Sequence, residues 1–178
     1  EQILEAGEII KSPGIPDSAS ILVSAREKGI KVISEIEFAS RYTNATKICI
    51  TGSNGKTTTT MLTWHMLKSA GLDVGLAGNV GKSFARQLAE KDHRYFVIEL
   101  SSFQLDDMFD FKAEIGVLLN ITPDHLDRYD YKVENYIRSK FRIAENQQEG
   151  DVFIYNLDDE TTMQYLNNYP IKSTKAPI

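Results

Sequence analysis

Lys47-Ile48-Cys49-Ile50-Thr51-Gly52-Ser53-Asn54-Gly55-Lys56-Thr57-Thr58-Thr59-Thr60 is the stretch on which the fold of this 178-residue chain turns. A β-rich run, Lys47 to Thr51, stops at Gly52, and a helical pattern opens near Lys56. Strand, glycine-rich turn and helix start is the arrangement that holds phosphate. The glycines let the backbone wrap tightly, and the first helical N–H groups point unpaired into the turn. Lys56 adds a full positive charge, and the Thr57 hydroxyl is suited to a Mg²⁺ that accompanies a nucleotide. The eight-residue phosphate-loop pattern would also place a glycine at position 50, where Ile50 stands; the chain carries the shorter Gly52-x-x-Gly55-Lys56-Thr57. The alternative is a chance Gly-Lys-Thr in a surface turn, and the flanking strand and helix favour phosphate.

Upstream, Glu8 to Lys11 reads as a strand and Ser12-Pro13-Gly14-Ile15-Pro16 as a turn. Asp17 is placed to cap a helix running to Lys28, with Gly29 as its stop. Lys31 to Ser34 reads as a short strand, Glu35 to Arg41 as a helix, and Tyr42 to Thr46 as a linker. Downstream, the helix from Thr57 repeats Leu62, Met66 and Ala70 before Gly71. Asp73 to Leu76, Tyr95 to Leu100, Ile115 to Leu119 and Val152 to Tyr155 read as strands. They are separated by the loop Gly78-Asn79-Val80-Gly81, a helix with Phe84 and Leu88, and a helix from Lys132 to Asn146; a last helical stretch spans Asp158 to Asn168. Such alternation predicts an α/β fold with a doubly wound, mostly parallel sheet and ligands at the carboxyl ends of the strands. Ser173 to Ile178 carries no signal.

Composition, 42% hydrophobic and 25% charged, provides a real core, and the net charge of −5 argues against general nucleic-acid binding. No stretch approaches the roughly eighteen apolar residues of a membrane helix, so no membrane insertion is expected and the cytoplasm is the expected location. The single Cys49 lies in a strand read as buried, which suits core packing and excludes a disulfide framework. The absence of an initial methionine suggests a piece of a longer protein.

The polar residues of interest follow strands. Glu99 closes one, and Asn120 to Asp127, with His125, follows another; in a parallel sheet both lie on the rim of the Gly52 to Lys56 turn. A carboxylate and an imidazole there suggest metal ligation, whereas the plain alternatives are a solvated strand-end charge for Glu99 and a helix-start residue for His125. His65 and His93 read as ordinary surface or packing residues. Lys140, between Arg138 and Arg142, reads by spacing as part of a solvated face.

Thr51 to Thr58, Glu99-Leu100-Ser101-Ser102-Phe103-Gln104-Leu105, Asn120 to Tyr129, the Ser12 to Pro16 turn and the Gly78 to Gly81 loop together resemble the Mur ligase family, in order and over essentially the whole chain. The resemblance implies an ATP-dependent ligase of peptidoglycan precursor synthesis, in the branch joining D-glutamate to UDP-N-acetylmuramoyl-L-alanine through an acyl phosphate. It implies that Gly52, Ser53, Asn54, Gly55, Lys56, Thr57 and Thr58 cradle ATP. Thr57 and Glu99 would hold one Mg²⁺, and His125 and Lys140 a second. Ser12, Gly14 and Asn79 would meet the UDP-sugar, and Ser101 and Gln104 would also bind substrate. The lysine matching Lys140 is carbamylated in this family, so Lys56, His125 and Lys140 are the implied catalytic set.

The resemblance also implies that 1–44 is the remainder of an N-terminal, Rossmann-like UDP-binding domain and 45–178 an incomplete central ATP-binding domain. Residues gripping adenine and D-glutamate are expected beyond Ile178. The chain alone is expected to be inactive, and the whole enzyme a monomer. Other readings are a sister Mur-type or folylpolyglutamate synthase-like ligase, a phosphate-loop kinase or NTPase, and a non-catalytic nucleotide-binding module.

Overall fold

The computed structural model describes residues 2–178. Two parallel sheets share one chain. The smaller pairs β1 (Glu8–Lys11) with β2 (Lys31–Ser34), bridged by α1 (Ser20–Glu27). From β2 the chain passes directly into α2 (Glu35–Ser40), whose first turn is capped by the Ser34 hydroxyl accepting from the Glu37 N–H at 3.0 Å.

The larger sheet has six strands: β3 (Thr46–Thr51), β4 (Val74–Gly78), β5 (Tyr95–Glu99), β6 (Ile115–Leu118), β7 (Val152–Tyr155) and β8 (Thr174–Pro177). Their spatial order is β4-β5-β3-β6-β7-β8, every described pairing parallel. The helices α3 (Lys56–Ser69), α4 (Phe84–Glu90), α5 (Ser102–Asp106), α6 (Val133–Phe141) and α7 (Glu160–Leu166) lie between the strands in sequence. Chain order reverses between β5 and β6 across the central β3, and the loops at the carboxyl ends of these strands converge there.

One face of the sheet is heavily packed: Cys49, Phe96, Ile98, Leu118 and Phe153 meet Phe84, Leu105, Tyr136 and Phe141. The other face, built on Ile50, Val74, Val97 and Val117, is covered by Trp64 and Leu67 of α3.

Several sequence expectations shift. Asp17 does not cap α1, which begins at Ser20 behind Ala19; its carboxylate instead pairs with Lys11 at 2.8 Å and Arg26 at 2.6 Å. The Leu62/Met66/Ala70 row points outward, with Leu62 56% and Met66 61% exposed, because Thr60, Trp64 and Leu67 take the sheet side of α3. The long helix ends at Phe141 and tightens into a 3-10 turn at Arg142–Ala144. Residues 174–177, silent in the sequence, form the edge strand β8.

A polar seam joins the smaller sheet to the larger one. The Glu37 carboxylate, 1% exposed, accepts from the backbone N–H groups of Phe109, Asp110 and Phe111 at 2.8–3.2 Å. Nearby, the Ser34 N–H donates to the Asp107 carbonyl at 2.8 Å, the Lys11 ammonium reaches the Asp107 carboxylate at 2.6 Å, and the Ala85 N–H donates to Glu35.

Candidate active site

The turn after β3 owes its shape to glycine. Gly55, at φ 83°, stands at the N-cap of α3 in a conformation other residues adopt only under strain. Ser53 and Asn54 lock the turn onto the segment after β6. The Ser53 N–H donates to the Asn120 carbonyl at 2.9 Å, the Asn54 N–H to Asn120 Oδ1 at 2.9 Å, and the Ser53 hydroxyl to the Thr122 carbonyl at 2.9 Å. The Ser53 and Asn54 N–H groups and the Ser53 hydroxyl are thereby engaged with the Asn120–Thr122 segment. Lys56 folds back over the turn, its Nζ donating to the Gly52 and Ser53 carbonyls at 2.9 and 3.0 Å. That leaves one ammonium hydrogen for a ligand. Thr57 and Thr58 sit exposed in the first turn of α3.

Beside it, β5 ends in Glu99, which is 1% exposed. Oε1 accepts from Asn79 Nδ2 at 2.8 Å, while the buried Oε2 has no hydrogen-bond partner. A carboxylate oxygen removed from water and left bare is costly, so it marks a place for a cation or donor. Gly78 makes this approach possible: a Cβ there would stand 2.2 Å from the Glu99 carbonyl oxygen.

Lys140 corrects the solvated-face reading. It lies on the inner face of α6, 1% exposed, with its Nζ 4.7 Å from the Tyr136 ring centroid and no carboxylate in ion-pair range among the described residues. Arg138 alone of that trio is exposed. Burial, followed by the Lys56 charge, pushes the Lys140 amine down to about 7 against the opposing pull of Asp124 and Asp106. Tyr136 also ties the two halves of the site, its hydroxyl lying 3.0 Å from Ser53 Oγ.

Lys56, Asn79, Ser101, His125, Lys140 and Gly14 line one cavity of about 280 Å³. Ser12 and Gln104 line an adjoining hollow that shares Pro13 and Asn79 with it. Ser101 and Gln104 also form the reciprocal cap of α5: the Gln104 N–H donates to Ser101 Oγ at 3.3 Å and the Ser101 N–H to Gln104 Oε1 at 2.9 Å. His125, exposed and at φ 50°, holds its Nε2 3.5 Å from Asp124. Phe103, Asp124, Arg128 and Tyr136 also line the cavity, and none was singled out from sequence. For Tyr136 a signal existed, because it precedes Lys140 by one helical turn and shares its face.

Among the described residues, no three His, Cys, Asp or Glu side chains cluster as a ready metal cage. The donors at hand are the bare Glu99 oxygen and the Thr57 hydroxyl. They fit a hard cation such as Mg²⁺, which takes one or two protein oxygens and completes its shell with phosphate and water.

The chain is 60% identical over all 178 residues to the UDP-N-acetylmuramoylalanine--D-glutamate ligase of Bacteroides fragilis, covering 40% of that protein. It is 62% identical over 176 residues to the ligase of that name from Porphyromonas gingivalis, covering 99% of this chain and 39% of that protein. It thus spans about 40% of the length of these relatives. Among solved structures it resembles a UDP-N-acetylmuramate:L-alanyl-gamma-D-glutamyl-meso-diaminopimelate ligase from Neisseria meningitides, with a TM-score of 0.64 at 19% identity over 96% of this chain and 58% of that one. A MurF ligase from Thermotoga maritima in complex with ADP gives 0.61 at 17% identity over 99% of this chain and 51% of that one; these distant likenesses show the fold alone. The profile described as the Mur ligase middle domain matches residues 50–176, where the phosphate turn, the bare Glu99 oxygen and the buried Lys140 all reside, and the chain belongs to the Mur ligase family.

Proposed function

We propose that the whole protein is an ATP-dependent ligase that joins D-glutamate to UDP-N-acetylmuramoyl-L-alanine through an acyl phosphate, in peptidoglycan precursor synthesis. The observation that carries this reading is one rim holding a phosphate turn, a buried carboxylate with a bare oxygen and a partnerless buried lysine. The names of the relatives at about 60% identity support the choice of substrates. In this reading 1–44 belongs to an N-terminal UDP-binding domain and 45–178 to the central ATP-binding domain of a monomeric, cytoplasmic enzyme. No helix among the described residues is long and apolar enough to cross a membrane.

The chemistry sets the demands on the site. A carboxylate must approach the γ-phosphate of ATP, so two anions have to meet away from bulk water. Within the Gly52–Thr58 turn, the N–H groups from Gly55 onward, at the start of α3, are offered to the phosphates, and Lys56 swings from the Gly52 and Ser53 carbonyls onto the β/γ oxygens. Thr57 and Glu99 would hold one Mg²⁺ and His125 and Lys140 a second, which would supply the positive charge that screens the two anions from each other.

Lys140 suits that role after carbamylation. Its amine, brought down to about 7 by burial and then by Lys56, is deprotonated in about half of the molecules at neutral pH, and that form adds to CO₂, forming an N–C bond and releasing a proton. A cation that would repel metal thereby becomes an anion. Asn79 holds Glu99 in place and, with Ser12, Gly14, Ser101 and Gln104, faces the nucleotide sugar.

The test is a coupled ATPase assay on the full-length protein with UDP-N-acetylmuramoyl-L-alanine and one amino acid at a time. ADP release is expected only with D-glutamate and the sugar together. Turnover with L-lysine or meso-diaminopimelate in its place, or ATP hydrolysis indifferent to the sugar, would reject the proposal.

A further inference from the structure

The cavity holds one more cation than the proposed chemistry uses. Lys56 is assigned to ATP and Lys140 to carbamylation; Arg128 remains. The side chain is half-buried on the cavity wall, and among the described residues no carboxylate comes within ion-pair distance of it. The one acidic side chain lining the cavity, Asp124, leans on His125 instead. A guanidinium partly shielded from water without a counter-charge is a seat for an anion.

The surroundings hold that seat in one place. Arg128 closes the 3-10 turn Leu126–Arg128, its N–H donating to the His125 carbonyl at 2.9 Å. Its guanidinium carbon lies 4.4 Å from the Phe103 ring centroid, and that ring stacks in turn on Tyr129, whose hydroxyl donates to Asp106 at 2.8 Å. One N–H donates to the Ile15 carbonyl at 3.4 Å, in the Ser12–Pro16 turn. A planar cation stacked on an aromatic ring, with most of its five donors free, is pre-organised for bidentate recognition of phosphate.

We propose that Arg128 binds the diphosphate of the nucleotide sugar. This inference rests on the functional reading above, in which the Ser12–Pro16 turn meets that substrate, and it adds the residue that selects a diphosphate-linked sugar over an uncharged one. Anchored to both the turn and the His125 segment, Arg128 also fixes how far the sugar lies from the phosphate loop.

The experiment compares full-length wild-type protein with Arg128→Met, which keeps a stem to pack on Phe103, and Arg128→Lys, which keeps the charge without the fork. UDP and uridine are titrated by calorimetry, and KM is measured for the nucleotide sugar and for ATP. Charge-assisted hydrogen bonds of this kind predict a roughly 10–100-fold loss of UDP affinity and a similar rise in the sugar KM for Arg128→Met. Uridine binding and the KM for ATP should each stay within about twofold, with Arg128→Lys in between. If wild type binds UDP and Arg128→Met binds it equally well, loses uridine in step with it, or shows the rise in the KM for ATP instead, the assignment is overturned. If wild type binds ATP but neither UDP nor the sugar, the functional reading itself has failed.

Discussion

Replacing Lys140 by methionine removes a buried amine and keeps a stem able to pack on Tyr136. In the folded chain that amine is depressed from its ordinary 10.5 to about 7, first by burial and then by Lys56. The unfolded chain keeps the proton across this interval while the folded chain surrenders it. The unfolded state therefore binds more protons, and stability rises with pH. The penalty is full below about 7 and fades as pH climbs toward 10.5. Integrated between pH 6 and 9, Lys140 alone should contribute an increase of about 2.5 kcal/mol. The difference between wild type and Lys140→Met isolates it from every group the two proteins share. Urea unfolding in CO₂-free buffer, at half-unit steps from pH 6 to 9, supplies the measurement. Lys140→Met should gain on wild type by about 2.5 kcal/mol at the acid end relative to the alkaline end. Curves running parallel to within about 0.5 kcal/mol would show that Lys140 keeps an ordinary pKa, and the case for a carbamylation-ready amine would fail with it.

Lys56→Ala should weaken ADP binding by roughly 10–100-fold while leaving the melting temperature almost unchanged, since its ammonium contacts only the turn it folds over; calorimetry and a thermal melt decide this. Glu37→Gln should cost about 2–4 kcal/mol in urea unfolding, because an amide –NH₂ then faces N–H donors in a buried pocket; an unchanged midpoint would show that the seam bears no strain.

The strand-turn-helix around Gly55 and the alternation of strands and helices were legible because each is written in local order: an apolar run, a glycine, a periodic stretch. The positions of Glu99 and His125 were legible for a related reason: Glu99 ends one parallel strand and His125 lies in the segment after another, and the carboxyl ends of such strands share a rim. Lys140 was not. Flanked by Arg138 and Arg142, it looks solvated by spacing; the family resemblance alone singled it out, and the packing of Tyr136, Ile137 and Phe141 shows which side of α6 faces inward. The exposed Leu62 and Met66 misled in the opposite sense, as Trp64 and Leu67 won the sheet side. Strand β8 was invisible because Thr174-Lys175-Ala176-Pro177 carries neither alternation nor a β-rich run; the β7 edge organises it. Glu37 lies more than seventy residues from its amide partners, a separation that no pattern in the sequence spans.

The Glu37 contact has a mechanical consequence. One carboxylate ties together three successive amides just ahead of β6, the strand that leads into the His125 segment. Sliding the smaller sheet away from the larger one would leave the Glu37 carboxylate, 1% exposed, without its three donors, so the spacing between the Ser12–Pro16 turn and the Gly52–Lys56 turn is gauged by a side chain that lies in neither. Amide hydrogens at Phe109, Asp110 and Phe111 should then exchange with deuterium on the timescale of whole-body opening, although they belong to a loop.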